Sequence, residues 1–305
     1  MNEPIPSARL LRWYPAAWRA RYGHELAALL EDTYGDDPIP WRTRVATAKA
    51  GLVQHLRASG LHGDREHPAD HARSGSLLVL CGWAFFVVGG AMLAKFNEQW
   101  SNGTPRHDRW LPTAGYVAIE VAAAVGFVIV LTAGLIALPP LCRALRQSGW
   151  AFVSRPLLQV ATVATTTVLV AVPVLIWAHH LNARQRNGGL AAYTVCFFVV
   201  GFLAVATLAT ATGGVVSIAA RLDLSPSSVR RLARLALAMV TVMGVVAVGT
   251  AVWWISLAVH APSVLGGRAP LDLVLLGVLM AAGLALGATG ATRIVGSLPD
   301  LRARG

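Results

Sequence analysis

Six long apolar stretches follow residue 75, and short polar segments that carry arginines separate them. An α-helix needs about 20 apolar residues to cross the hydrocarbon core of a bilayer. The pattern therefore predicts membrane-spanning helices near residues 76–94, 111–138, 157–178, 190–212, 235–259 and 271–292. We expect an all-α fold in which a six-helix transmembrane bundle occupies residues 76–305 and ends in a short C-terminal tail.

The first 75 residues show the weaker periodicity of short amphipathic helices. Pro15 is suited to open a helix over about residues 16–33, since its missing N–H costs nothing in the first turn. Residues 34–40, rich in Gly, Asp and Pro, predict a turn, and a second helix follows over 41–59. We predict a helical hairpin over residues 1–59 and a linker over 60–75. The apolar positions expected to face each other are Trp18, Tyr22, Leu26 and Leu29 with Val45, Ala48, Leu52 and Leu56.

Composition and charge agree with a membrane protein. The chain is 55% hydrophobic and only 13% charged, whereas a soluble domain carries about 25% charged residues. The net charge of +11 lies almost wholly after residue 75, which excludes a basic nucleic-acid-binding domain in the polar N-terminal part. Twenty of the 26 Lys and Arg residues lie on one side of the predicted topology. The positive-inside rule then places both termini in the cytoplasm.

Residues 14–25 form a distinctive motif, YPAAWRARYGHE. It resembles the opening of uncharacterised multi-pass membrane proteins of high-GC bacteria, which share the pattern YP-x2-WR-x-RYG-x-E. Residues 54–57, QHLR, are also similar to the end of their second helix. Such proteins are sometimes encoded beside PadR-type transcription regulators. The resemblance implies a signalling or regulatory role in a bacterial plasma membrane, and it carries no known activity.

The residues of this motif have two interpretations. Aromatic side chains at helical spacing usually face a core, and Arg21 and Glu25 have the spacing of an i, i+4 ion pair. Trp, Tyr and Arg are also the residues that dominate protein interfaces. The candidate partner-binding residues are Trp18, Arg19, Arg21, Tyr22 and Glu25.

Three polar residues inside the predicted spans are candidates for an intramembrane site. Glu120 lies about 13 Å along its helix from Leu111, and an ionisable residue at that depth is expected to face the bundle or a water-filled cavity. The alternative is a span that begins nearer Tyr116, which leaves Glu120 close to the outer interface. Thr162 and Thr166 belong to a threonine-rich third span that either lines a cavity or packs against a neighbouring helix.

Two local signals bear on helix ends and helix packing. Ser225 and Pro226 are typical of an N-cap and a first helical position, so they predict where the helix of the fifth span begins. Gly283 and Gly287 form a GxxxG pattern, which permits close helix approach but has low specificity in an alanine-rich segment.

Four histidines fall on the predicted outer side, and their spacing is poor for a metal site: His107, His179, His180 and His260. The three cysteines show no zinc-binding or disulfide spacing. No catalytic motif occurs. We therefore expect no enzyme activity, no cofactor and no metal, although a membrane-embedded metal-dependent enzyme remains a third hypothesis.

These patterns support two hypotheses about function. The first is a regulatory or signalling membrane protein whose hairpin binds a soluble cytoplasmic regulator. The alternative is the permease component of a transporter whose ATPase is a separate chain, which Glu120 and the threonine-rich span favour. The expected surroundings are the lipid bilayer, one of these protein partners or a second copy of the chain, and no nucleic acid.

Overall fold

The computed structural model describes residues 10–35, 37–58, 60–61, 63, 67–103, 110–182, 185–260 and 269–303. The chain divides into two compact units, Met1–Asp64 and Arg65–Gly305. The described residues form eight α-helices and no strand. In chain order they are α1 (Ala16–Tyr34), α2 (Trp41–Ala58), α3 (Pro68–Gly103), α4 (Trp110–Ser148), α5 (Ala151–His179), α6 (Ala191–Arg221), α7 (Pro226–His260) and α8 (Ala269–Ala303).

The predicted all-α fold with six membrane-spanning helices is confirmed, since α3 to α8 are each long and apolar enough to cross a membrane. The helices extend beyond the apolar stretches because a helix does not end where its residues leave the hydrocarbon. Helix α7 begins at Pro226, before the predicted apolar span at 235. The Ser228 N–H donates to Ser225 Oγ at 3.3 Å, so the predicted N-cap is confirmed.

The predicted linker over residues 60–75 is shorter in the structure, because a helix begins inside it. Helix α3 begins at Pro68, and Asp70 lies in its first turn. Both residues favour a helix N-terminus, proline by its fixed φ and aspartate by its negative charge. Ala72 is fully buried against Val229 and Leu301. Pro68, Asp70 and Arg73, which the linker prediction includes, therefore belong to the first turns of a packed helix.

The N-terminal unit has a small apolar core made by Leu10, Leu30 and Ile39, with Leu26 and Tyr34 packed against it. Tyr34 and Thr43 join α1 to α2 by a hydrogen bond of 2.9 Å between their hydroxyls.

The predicted facing positions of this hairpin are partly wrong. Leu29 is 61% exposed, and on α2 Val45 and Leu52 are 57% and 58% exposed. Helix α2 instead approaches the unit through Gly51, where an added Cβ would lie 2.5 Å from the Trp13 carbonyl oxygen. Because the side of α2 that carries Gly51 packs against Trp13, the side that carries Val45 and Leu52 is exposed.

The core of the membrane unit is built by four of its six helices. Buried side chains of α3, α4, α7 and α8 form one apolar cluster, which includes Trp83, Phe86, Met243, Trp253 and Ile294. Helices α3 and α8 share the most extensive contact, followed by α4 and α7. Helices α5 and α6 pack mainly on each other and contribute no member to this cluster.

Candidate functional site

An aromatic ladder runs along the start of the N-terminal unit. The rings of Tyr14 and Trp18 are stacked with centroids 4.0 Å apart, and Trp18 and Tyr22 follow at 5.4 Å. Tyr14 is buried, and this burial raises the pKa of its hydroxyl. Stacked aromatic pairs add to the stabilisation that their burial provides. The ladder therefore fixes the entry of α1.

The five candidate partner-binding residues separate into two groups in the structure. Trp18 and Tyr22 are half-buried members of the ladder, whereas Arg19, Arg21 and Glu25 are exposed. The guanidinium carbon of Arg21 lies 5.1 Å from the centre of the Tyr22 ring. This distance is that of a cation–π contact, and the pairing of Arg21 with Glu25 stays a prediction. The aromatic members thus act mainly within the unit.

Helix α2 presents an exposed surface that includes Val45 and Leu52, two residues predicted to face α1. We call Trp41, Val45 and Leu52 the α2 face; they lie at i, i+4 and i+11 of one helix side. Trp41 is 69% exposed, and the Arg42 guanidinium lies 5.7 Å from its ring centre. Single exposed apolar side chains are ordinary, whereas three on one side of a short helix make that side a candidate interaction surface.

The charge of α2 distinguishes it from α1. Residues 41–58 contain no Asp or Glu and four basic side chains, namely Arg42, Arg44, Lys49 and Arg57. Helix α1 mixes both signs. Two signals in the sequence indicate this surface, namely the absence of acids from α2 and more apolar positions than so small a core needs.

The intramembrane polar residues do not meet in one cavity. Glu120 is exposed on α4, and its carboxylate acts by charge on the Tyr116 hydroxyl one turn earlier. Thr162 and Thr166 are exposed on α5 and donate to the carbonyls of Leu158 and Thr162 at 2.8 and 2.9 Å. The described helices therefore do not enclose Glu120, and its place in a cavity or near the outer interface stays a prediction.

A neighbouring threonine makes the contact between helices. The hydroxyls of Thr167 and Thr207 are 2.8 Å apart and join α5 to α6. Thr167 also lies 3.2 Å from the Leu203 carbonyl oxygen. Packing, one of the two interpretations of the threonine-rich span, accounts for this residue.

The outer histidines are only partly described. His179 and His180 are exposed at the end of α5, whereas His107 and the side chain of His260 lie outside the described residues. In the described part of the chain, no group of three or more His, Cys, Asp or Glu side chains is placed to hold a metal ion.

Comparison of the chain with protein-family models, with curated proteins and with solved structures finds no match. The fold alone defines the class, a multi-pass all-α membrane protein, because six of its helices are long and apolar enough to span a membrane. The resemblance of residues 14–25 stays a prediction.

Proposed function

We propose that this chain is a regulatory membrane protein whose N-terminal unit binds an acidic soluble protein through the α2 face. The single observation that carries the proposal is the combination of Trp41, Val45 and Leu52 on one exposed side of a helix that holds only basic charges. The location we propose is a bacterial plasma membrane with both termini in the cytoplasm, which the arginine distribution supports.

The chemistry of the α2 face favours a protein partner with a particular surface. A tryptophan with flanking arginines is typical of the residues that dominate interface energy. Four basic side chains steer an acidic surface toward the helix and disfavour a basic one. The aromatic ladder and the Tyr34–Thr43 bond hold the unit in shape, so little ordering cost opposes binding.

The permease alternative lacks a comparable observation. It depends on a polar cavity shared by Glu120, Thr162 and Thr166, and these side chains lie exposed on α4 and α5. Two cavities in the described bundle are lined by other residues. We therefore propose the regulatory role alone.

The test uses the full-length chain in cells, with a photoreactive residue in place of Ala46, which is exposed beside the α2 face. One variant carries Trp41→Ser with Leu52→Ser. The matched control is Leu29→Ser, because Leu29 is exposed on α1. Trp18→Ala is unsuitable, since removing the middle ring of the ladder disturbs the unit itself.

We expect one soluble protein, identified by mass spectrometry, to be crosslinked in the wild type and in Leu29→Ser and lost in the double variant. The purified partner should carry an acidic surface, and its affinity for the full-length chain should fall as salt rises. Crosslinks to lipid alone, equal capture by both variants, or capture of a transporter ATPase would each overturn the proposal.

A further inference from the structure

A cavity of about 260 Å³ lies between helices α3, α4, α6 and α7. Its walls are apolar and include Leu77, Val130, Val215, Leu232 and Met239. The only charged side chain among the described residues that line it belongs to Arg73. A cavity with apolar walls and a single cation is suited to a ligand with a hydrocarbon part and an anionic group.

Arg73 has hydrogen-bond donors that the described residues leave unused. Its Nε and Nη2 atoms are buried and have no hydrogen-bond partner among the described residues. The carboxylates of Asp70 and Asp223 act on the guanidinium by charge, but neither accepts a bond from these two atoms. A buried donor without a partner costs free energy, and native proteins rarely keep one.

The two unused donors form one edge of the guanidinium plane. Two parallel N–H groups on that edge match two oxygens of a phosphate or a carboxylate, which gives the strongest form of guanidinium recognition. An anion at this edge would satisfy both donors at once. The same anion would project its hydrocarbon part along the apolar wall of the cavity.

The surrounding charge favours an anion. The cavity lies at the end of the bundle where α3 and α7 begin and where α4 and α6 end. Besides Arg73, the described side chains at this end include three acids, Asp70, Asp223 and Asp300. They also include eight further arginines, namely Arg143, Arg146, Arg155, Arg221, Arg230, Arg231, Arg234 and Arg293. Such an excess attracts anionic lipid headgroups.

We propose that the cavity binds one anionic phospholipid of the surrounding bilayer, with its phosphate on the Nε–Nη2 edge of Arg73 and an acyl chain against α4 and α7. The surrounding bilayer supplies this phospholipid, because six helices of the chain are long and apolar enough to span a membrane. The proposal is independent of the α2 face and of any protein partner.

The cavity can be tested at each of its two ends. Arg73→Gln removes the charged fork, and its matched control is Arg231→Gln, an exposed arginine at the same end of the bundle. Gly134→Leu narrows the apolar part, because Gly134 lines the cavity and an added Cβ meets no atom within 4 Å. Its matched control is Gly201→Leu on α6, which is equally open and does not line the cavity.

The full-length chain is reconstituted in vesicles of equal parts phosphatidylglycerol and phosphatidylcholine, extracted into detergent and examined by native mass spectrometry. We expect one retained phosphatidylglycerol in the wild type and in both controls. The affinity of the protein for phosphatidylglycerol should fall about tenfold or more in Arg73→Gln, which is the loss expected when a hydrogen bond to a charged group is removed. Gly134→Leu should displace the lipid as well.

Three results would overturn the inference. Equal retention of phosphatidylglycerol in wild type and both cavity variants would show that the lipid binds elsewhere. Retention of phosphatidylcholine in its place would remove the role of anionic charge. Retention of added oleate, with no phospholipid, would assign the site to a free fatty acid.

Discussion

The backbones of Gly82 and Gly283 approach so closely that a Cβ on Gly82 would lie 2.6 Å from the Gly283 carbonyl oxygen. The same relation recurs two turns earlier on α3, where a Cβ on Gly75 would lie 2.7 Å from the Gly290 carbonyl oxygen. Helices α3 and α8 therefore meet backbone to backbone. Small residues allow this close packing, which drives helix association inside a bilayer, where the hydrophobic effect gives no preference for helix over lipid.

Replacing Gly82 by alanine should destabilise the membrane unit by about 1–3 kcal/mol, the usual cost of an oversized group in a packed core. The reason is that the new methyl group meets backbone, which cannot rotate away. Gly90→Ala on the same helix is the control, because its Cβ meets no atom within 4 Å. Unfolding of the purified protein in mixed micelles measures both, and similar midpoints for the two variants would refute the close approach.

The hydroxyl contact between Thr167 and Thr207 should be measurable as a coupling between α5 and α6. Interhelical hydrogen bonds in membranes average about 0.6 kcal/mol in double-mutant cycles. We expect a coupling of that size from Thr167→Val and Thr207→Val in the same unfolding assay. A parallel cycle with Thr166→Val should give a coupling near zero, because Thr166 donates to the Thr162 carbonyl of its own helix. Equal coupling in the two cycles would contradict the assignment.

Tyr14 should make the N-terminal unit sensitive to alkaline pH. Burial raises the pKa of Tyr14 in the folded state, while the unfolded value is about 10. The contribution of the neutral, buried Tyr14 to the free energy of unfolding is therefore complete below pH 10. It is lost as the pH rises through the pKa that Tyr14 has in the folded state. The difference in tyrosinate absorbance between the wild-type chain and Tyr14→Phe should show a midpoint above 10, and a midpoint at or below 10 would argue against burial.

Glu120 should be tolerant of neutralisation. Its side chain is exposed on α4, and its carboxylate acts by charge on the Tyr116 hydroxyl. Glutamine keeps the size and shape of this exposed side chain, so Glu120→Gln should change the free energy of unfolding by less than about 0.5 kcal/mol, as is usual for surface substitutions. A loss of several kcal/mol, measured in the same micelles, would show instead that the carboxylate has a buried partner.

The α2 face and the Thr167–Thr207 bond show where prediction from the sequence failed. Val45 and Leu52 had the right spacing for a helix face, but the spacing alone does not say which neighbour the face meets. Gly51 decided this, since its close approach to Trp13 turned that face outward. In α5, several threonines were equivalent by sequence, and the position of α6 selected Thr167.

The sequence by itself determined the helices, their order and their number of membrane spans, because apolar run length, a proline start and a serine N-cap act locally. Only the tertiary structure decided which four spans form the core and which side chains face lipid. The physical reason is that lipid hydrocarbon and a protein core are equally apolar. The type of an apolar residue therefore does not show whether its side chain faces lipid or another helix. The same holds for Arg73, whose place beside an apolar cavity depends on four helices that are distant in sequence.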